Sequence, residues 1–458
     1  RVSGVNDHSR KTERVLLPSA WDIIHDTLAM RAKMKDGEIL RFTVLDFKDA
    51  FFMMPLLGEE VAFCGTLYKG RWYIWDRIAQ GSINGPSVHG RLSALTGRMG
   101  QGMFDTTELR TQVYIDDPCT VVRGTPKRCD LLTARLVTLW LCLGWDLSYH
   151  KGQYDTAINW IGYSIKVSDE YVAAFIKEEF LMELTTLVRD TLANNLISID
   201  DLRSLAGKAN HIATLIYAWR PFMGQIWAAI TTAVHHAEDK SKNQDNITKR
   251  RNIWIKQIIV SLMWIMTFLS DNPGSLSRSW RYDFFAATGM DIHMVLDASP
   301  WGLGGVLLVN GAVVSWFASQ LLPVDSAIHK KELGDSTGQQ VWEALVVLVA
   351  VKSWIHRWRH QRATFSIKSN NMSALAMLAN MKSKASPLIA RELALALSSD
   401  AFQPRFIDHV PGVTNAVPDS LSRLFELGTS YKVPPHLTSA SRIYPGKRGP
   451  GYYRTLQL

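Results

Sequence analysis

The 458-residue chain has only four cysteines, Cys64, Cys119, Cys129 and Cys142, with no Cys-x-x-Cys pair and no zinc-ligand spacing. This excludes a disulfide framework and a zinc finger. It predicts free thiols in a reducing, intracellular compartment, cytoplasmic or nuclear. Long hydrophobic runs are also missing. The longest, Ile258 to Leu269, is too short to span a bilayer and suits a buried helix, so no membrane partner is expected. No signal peptide is visible. Gly302-x-Gly304-Gly305 lacks the rest of a dinucleotide fingerprint, and no helix is predicted directly after it, which excludes that site. Acidic residues are outnumbered, 42 against 51 basic, giving a net charge of +9. Such a balance fits a nucleic-acid partner. The first residues, Arg1-Val2-Ser3-Gly4, carry no initiator Met, so the chain is expected to be a piece of a longer product.

What is present is ordinary for a globular protein: 47% hydrophobic and 20% charged residues. The length predicts about two to four domains. Sixteen tryptophans are expected mostly in the core. The most informative stretch is Tyr114-Ile115-Asp116-Asp117. Thr111 to Ile115 reads as a strand and Thr120 to Val122 as a second, which puts two adjacent carboxylates at a hairpin tip. Such a pair is either a solvated turn or a cation site, since like charges side by side need neutralising. A third acid, Asp46, ends the buried strand Phe42 to Leu45.

Around these acids the spacing predicts a hairpin turning at Lys69-Gly70. A glycine- and proline-punctuated loop, Gln80-Gly81 to Pro86, enters a helix over 88–95. An amphipathic helix over 127–143 is ended by Gly144, and a strand-like stretch runs over 158–163. Helices are expected over 175–192, 199–219 and 221–236, then a polar linker over 238–252. From about 290 strands dominate: one carrying Asp297, a second from Gly302, a third over 312–317. A helix begins at Glu343, a strand ends near Asn370-Asn371, and His409 to Asn415 leads into Asp419-Ser420-Leu421-Ser422-Arg423.

The order of these features resembles a reverse transcriptase. Asp46-Phe47-Lys48-Asp49-Ala50-Phe51, Gln80-Gly81 to Pro86, Tyr114-Ile115-Asp116-Asp117, Leu143-Gly144 to Lys151 and Trp160-Ile161-Gly162 are similar, in order, to five palm motifs. The second half resembles a retroelement ribonuclease H domain, with Asp297, Glu343 and Asp419 at its acids and His409 and Asn415 in the loop before the last. The stretch from Gly334 to Leu345 is similar to DIRS-like retrotransposons. The resemblance covers about 380 of the 458 residues.

That resemblance implies an α+β fold. A right-hand polymerase with truncated fingers and palm would occupy 1–170, a helical thumb and connection 171–236, and a linker with a connecting helix 237–288. A ribonuclease H-like α/β domain would occupy 289–426 and a basic flexible tail 427–458. It implies RNA-directed DNA synthesis on an RNA or DNA template, with a DNA primer, an RNA–DNA hybrid and dNTPs as partners. Two Mg²⁺ ions about 4 Å apart, or Mn²⁺ in their place, would sit on Asp46, Asp116 and Asp117. Phe51 would lie under the sugar and reject a 2′-hydroxyl. Gln80 and Gly81 would meet the nucleotide, and Trp160 and Gly162 would grip the primer. Lys151 is either a general acid for pyrophosphate or an exposed lysine. Arg203, Lys208 and Arg220 either contact duplex phosphates or form a solvated face.

Three departures stand out. Asn370 replaces the third ribonuclease H acid, and a neutral amide supplies no charge to Mg²⁺, so RNA-strand cleavage is expected to be impaired. Asn371 next door offers no carboxylate either. Pro118 directly follows the acid pair, and Ala79 stands where the family often has proline. These departures fit an inactive, nucleic-acid-binding remnant as the alternative.

Overall fold

A computed structural model describes residues 16–79, 81–241, 252–271, 276–282, 290–358, 363–399, 406–409 and 415–456. The protein is a mixed helix-and-sheet chain that divides into two compact units. One comprises Arg1–Lys177 and Ser279–Ala286, the other Glu178–Arg278 and Ala287–Leu458.

The first unit begins with helix α1 (Ala20–Arg31), whose N-terminus carries a reciprocal capping box between Ser19 and Asp22. Strand β1 (Ile39–Val44) follows, then the hairpin β2 (Gly65–Tyr68) and β3 (Arg71–Ile74). That hairpin turns at Lys69-Gly70 with φ 50° and 74°, a turn with both central residues left-handed. Helix α2 (Gly85–Gly102) leads to β4 (Leu109–Tyr114) and β5 (Asp117–Gly124), and helix α3 (Pro126–Cys142) to β6 (Gln153–Asp155). These strands form a sheet in the order β4-β5-β1-β6, so β1 is interior. Phe47, Leu109, Val122, Leu132, Leu136, Trp140 and Trp145 make a core beneath it, with Phe47 stacked on Trp145 at 4.3 Å.

A second sheet holds β7 (Ala157–Trp160), β8 (Tyr163–Val167) and β9 (Tyr171–Ile176), with β12 (Ser277–Arg281) at its edge. The expected helix over 175–192 therefore starts later, at Glu178. Phe175 belongs to β9, where pairing with Ser164 outweighs the modest helical propensity of Ala173-Ala174.

The second unit opens with helices α4 (Glu178–Leu192), α5 (Ile199–Leu215), α6 (Arg220–Ser241) and α7 (Ile259–Asp271), and a small pair, β10 (Leu196–Ser198) with β11 (Asn252–Trp254). Leu205, Ile212, Trp219, Phe222, Leu262 and Phe268 are buried among them. A six-stranded sheet follows, in the order β17-β16-β13-β14-β15-β18: β13 (Met290–Ala298), β14 (Gly302–Val309), β15 (Ala312–Gln320), β16 (Ala363–Ser369), β17 (Phe406–His409) and β18 (Ser441–Arg442). The first three strands run antiparallel, while β16 and β17 lie parallel to β13. Helices α8 (Pro323–His329), α9 (Gln339–Trp354), α10 (Met372–Asn380), α11 (Pro387–Ser399) and α12 (Ala416–Ser422) complete the unit. Helix α9 starts at Gln339, one turn before Glu343, and is buried along almost its whole length.

The glycines of β14 have a packing role. A Cβ on Gly304 would stand 2.3 Å from the Pro418 carbonyl, and one on Gly302 would stand 2.6 Å from the Ser422 carbonyl. Helix α12 thus rests directly on the strand backbone. Gly304→Ala is expected to destabilise this unit by about 3 kcal/mol, read as a lowered denaturation midpoint.

The tail from 427, expected to be flexible, is instead packed. Arg448 is buried and bonds both oxygens of Asp325, at 2.8 and 3.0 Å, and Tyr453 is fully buried with its hydroxyl 2.9 Å from His329 Nε2. Buried partners on α8 give the basic residue a place inside the unit.

Candidate active site

Strand β1 runs out beside the β4–β5 turn. The Leu45 amide donates to the Pro118 carbonyl at 3.1 Å and the Phe47 amide to the Asp116 carbonyl at 2.8 Å. Asp46 is thereby bracketed against Asp116-Asp117. Pro118, despite its missing donor, still serves the ladder through its carbonyl. Asp116 lies in the turn and Asp117 begins β5. The turn is strained, since the β-branched Ile115 has φ 55°. Ser148 donates its amide to the Asp46 carbonyl at 2.9 Å, which brings in the following segment, and Lys151 Nζ reaches Asp46 Oδ2 at 3.1 Å.

The charges feel one another. Burial first, then Asp116 and Asp46, push the Asp117 carboxyl up to about 6, while Lys151 pulls the other way. Lys151 thus acts on both Asp46 and Asp117, beside Asp116. Their oxygens and unbalanced charge fit a hard divalent cation in ligand type. Among the described residues, however, no three His, Cys, Asp or Glu side chains are already gathered closely enough to hold a metal ion.

Two supports were not visible in the sequence. Trp160 is buried at 2% exposure, and its indole donates to the Asp117 carbonyl at 3.0 Å. Its ring therefore braces the acid hairpin rather than offering a face to a nucleic acid, a correction to the expectation of primer contact. His89 is fully buried beside the same turn. Burial lowers its pKa, against the pull of Asp116 and the Ile115 backbone. Its Nε2 lies 3.1 Å from Ser93 Oγ.

Phe51 sits in a 3₁₀ turn, Ala50–Met53, with its ring 5.1 Å from that of His89. Gly81 adopts φ 93°, and a Cβ there would meet nothing within 4 Å. Gln80 lies outside the described residues. Gly162 is exposed at φ 84° in the β7–β8 turn. In the second unit, Lys208 is paired with Glu183, Arg203 with Asp200 at 3.4 Å, and Arg220 lies 3.8 Å over Tyr217. Each of these cations has a partner in its own unit.

The second acidic site lies at the end of β13. Asp297 is 2% exposed and accepts from Ser422 Oγ at 2.9 Å and Asn415 Nδ2 at 3.2 Å. The register Leu296↔Ser369 sets Asn370 at the neighbouring strand end. Asn371 is occupied as the cap of α10, accepting from the Ala374 amide at 3.0 Å. Glu343 accepts from Gln339 Nε2 at 2.9 Å, and Asp419 is held by Arg423 Nε at 2.8 Å. Among the described residues, Glu343 Oε2 and Asn370 Oδ1 are buried without a hydrogen-bond partner. His409 ends β17 opposite Ser369, and its side chain lies outside the described residues.

Burial, with Asp297 next, pushes Glu343 up to about 8, and burial chiefly pushes Asp297 to about 6. Both folded values exceed the unfolded ones, so the native state binds more protons. Their contribution to stability is full below about pH 4 and is lost as pH rises through 6 and then 8. Glu343→Gln removes the larger loss. Its melting temperature is expected to exceed wild type by roughly 4 °C at pH 9 and to match it at pH 5, measured by calorimetry.

No helix among the described residues is long and apolar enough to cross a membrane. No family model matches the chain, and no curated protein matches it. Among solved structures it is similar to a foamy viral protease-reverse transcriptase in complex with an RNA/DNA hybrid, at 14% identity and TM-score 0.40, over 86% of this chain and 46% of that one. A second similar structure is that protein's dRH form with double-stranded DNA, at 14% identity and TM-score 0.39, over 81% and 56% of the two chains. A third, the protease-reverse transcriptase with double-stranded DNA, has 13% identity and TM-score 0.39, over 89% and 73%. The chain thus spans about half the length of the first two, and similarity at this level is too slight to carry function across.

Proposed function

We propose that the protein is an RNA-directed DNA polymerase of a retrotransposon, joining dNTPs to a primer on an RNA or DNA template. The observation that supports this most is the bracketing of Asp46 against Asp116-Asp117 by the Leu45 and Phe47 amides, with the Asp117 carboxyl pushed up by burial and then by Asp116 and Asp46. Carboxylates carried on two adjacent strands suit this chemistry. In the reaction, the primer 3′ oxygen bonds to the α-phosphorus, the bond to the bridging oxygen breaks, and the 3′ hydroxyl gives its proton to water as pyrophosphate leaves.

Asp46, Asp116 and Asp117 would hold Mg²⁺, which lowers the hydroxyl's pKa and offsets charge on the phosphates. Lys151, at 60% side-chain exposure and 3.1 Å from Asp46 Oδ2, would turn toward pyrophosphate and give it a proton. Phe51 would contact the sugar. Trp160 and His89 keep the acid turn in place.

The sheet order of the second unit, with Asp297 and Asn370 on adjacent strand ends, supports a ribonuclease H-like arrangement whose cleavage is impaired. A second reading, an inactive remnant that binds nucleic acid, is favoured by Asn370 and by the absence, among the described residues, of a gathered metal-ligand trio. Titrating Mg²⁺ and Mn²⁺ into protein bound to a primer–template, with single-nucleotide extension as readout, separates the two. Saturable extension supports the polymerase. A bound duplex that is never extended supports the remnant.

A further inference from the structure

Helix α9 carries Glu343 near its start. Its other end lies about 20 Å further along, where the helix passes into a 3₁₀ turn with His356 and Arg357. There the packed tail closes over it and leaves a cleft of about 370 Å³. Lys352, His356 and Arg357 line it together with Tyr444 and Tyr452, and no acidic residue lines it. Lys352 is already engaged, at 3.1 Å from Glu392 and 2.6 Å from the Tyr452 carbonyl. His356 and Arg357 are exposed and, among the described residues, have no hydrogen-bond or ion-pair partner. An unpaired guanidinium beside an unpaired imidazole, in a concave cleft lined by no acid, favours an anion.

The aromatic wall narrows the class of anion. The guanidinium of Arg442 lies 5.0 Å from the Trp316 ring and 5.0 Å from the Tyr444 ring. This is an alternating aromatic–cation–aromatic ladder. Trp316 is buried, but Tyr444 is 77% exposed, so the ladder ends on an open ring beside the cations. A flat base continues such a stack, while its phosphate meets the nearby charges.

We propose that this cleft binds a single strand of nucleic acid, holding a phosphate on His356 and Arg357 and stacking a base on Tyr444. The site shares no residue with either acidic centre and does not depend on the polymerase reading.

The test uses the full chain and an oligo(dT) carrying one 5-iodouracil, with photocrosslinking mapped by mass spectrometry and affinity read by fluorescence anisotropy. The expected adduct lies within Ile443–Tyr452. Tyr444→Ala is expected to weaken binding roughly 5-fold or more and to remove that adduct, while Tyr444→Phe, which keeps the ring, retains both. His356→Ala with Arg357→Ala is expected to lower the salt dependence of binding by about one to two phosphate contacts. These side chains are exposed, so their loss leaves the core intact, which melting curves verify. The Asp116→Asn and Asp117→Asn double variant is expected to keep the adduct, so a failed polymerase reading would not be mistaken for a failed cleft. Wild-type affinity and salt slope in the variants, or adducts only outside Ile443–Tyr452, would overturn the proposal.

Discussion

Replacing Asp116 and Asp117 together by asparagine is expected to lower primer extension at least about 10³-fold while leaving the fold intact. The activity loss follows from charge. Two of the three carboxylates beside the β4–β5 turn disappear, and with them the ability to hold the cations that stabilise developing charge on the phosphates. The stability expectation runs the other way. Asp117 is raised to about 6 by burial and by Asp116 and Asp46, so its ionised form is a cost to the folded state. Asparagine removes that cost and keeps the shape, so the double variant should melt no lower than wild type at pH 7.5. Extension assays and calorimetry on the same preparation measure both halves. A variant that unfolds would show that the acids serve the hairpin's structure.

Asn370→Asp is expected to raise Mg²⁺-dependent cleavage of the RNA strand in a labelled RNA–DNA hybrid at least about 10²-fold over wild type. The wild-type site has the buried acids Asp297 and Glu343, but neutral Asn370 stands at the strand end beside Asp297. Its Oδ1, like Glu343 Oε2, is buried without a hydrogen-bond partner among the described residues. A carboxylate at 370 adds the missing negative charge without lengthening the side chain. It should also destabilise the metal-free unit at neutral pH, because it adds a buried like charge where burial and then Asp297 already push Glu343 to about 8. Gain of cleavage with a lowered metal-free melting temperature is the expected pair of results. The double variant Asn370→Asp with Asp297→Asn should lose the gain. No gain in Asn370→Asp, from protein that still binds hybrid, would mean that the site has lost more than its third acid.

Much of this arrangement was legible locally. A buried apolar run ending on Asp46, and two strands meeting at Asp116-Asp117, are short-range patterns, and the hairpin turn at Lys69-Gly70 follows from its residues. What escaped the sequence depends on contacts between distant segments. Trp160 reads as an available aromatic until its indole is seen on the Asp117 carbonyl, 43 residues away in sequence. Lys208 reads as a free cation until Glu183 is seen beside it. Composition alone suggested a loose tail, because nothing near Arg448 announces Asp325 on α8 as its partner. The glycines of β14 read only as an incomplete fingerprint, because their close packing against α12 is set by a helix more than a hundred residues later. His89 was missed because a lone histidine on a helix face carries no signal of the turn it supports.

The most direct measurement is incorporation of labelled dTTP on poly(rA)–oligo(dT) with Mg²⁺, wild type beside the Asp116→Asn and Asp117→Asn double variant, both shown to be folded and to bind the duplex. The account predicts incorporation by the wild type and none above background by the variant. Equal incorporation by the two, or none by a wild type that binds the duplex, would contradict it.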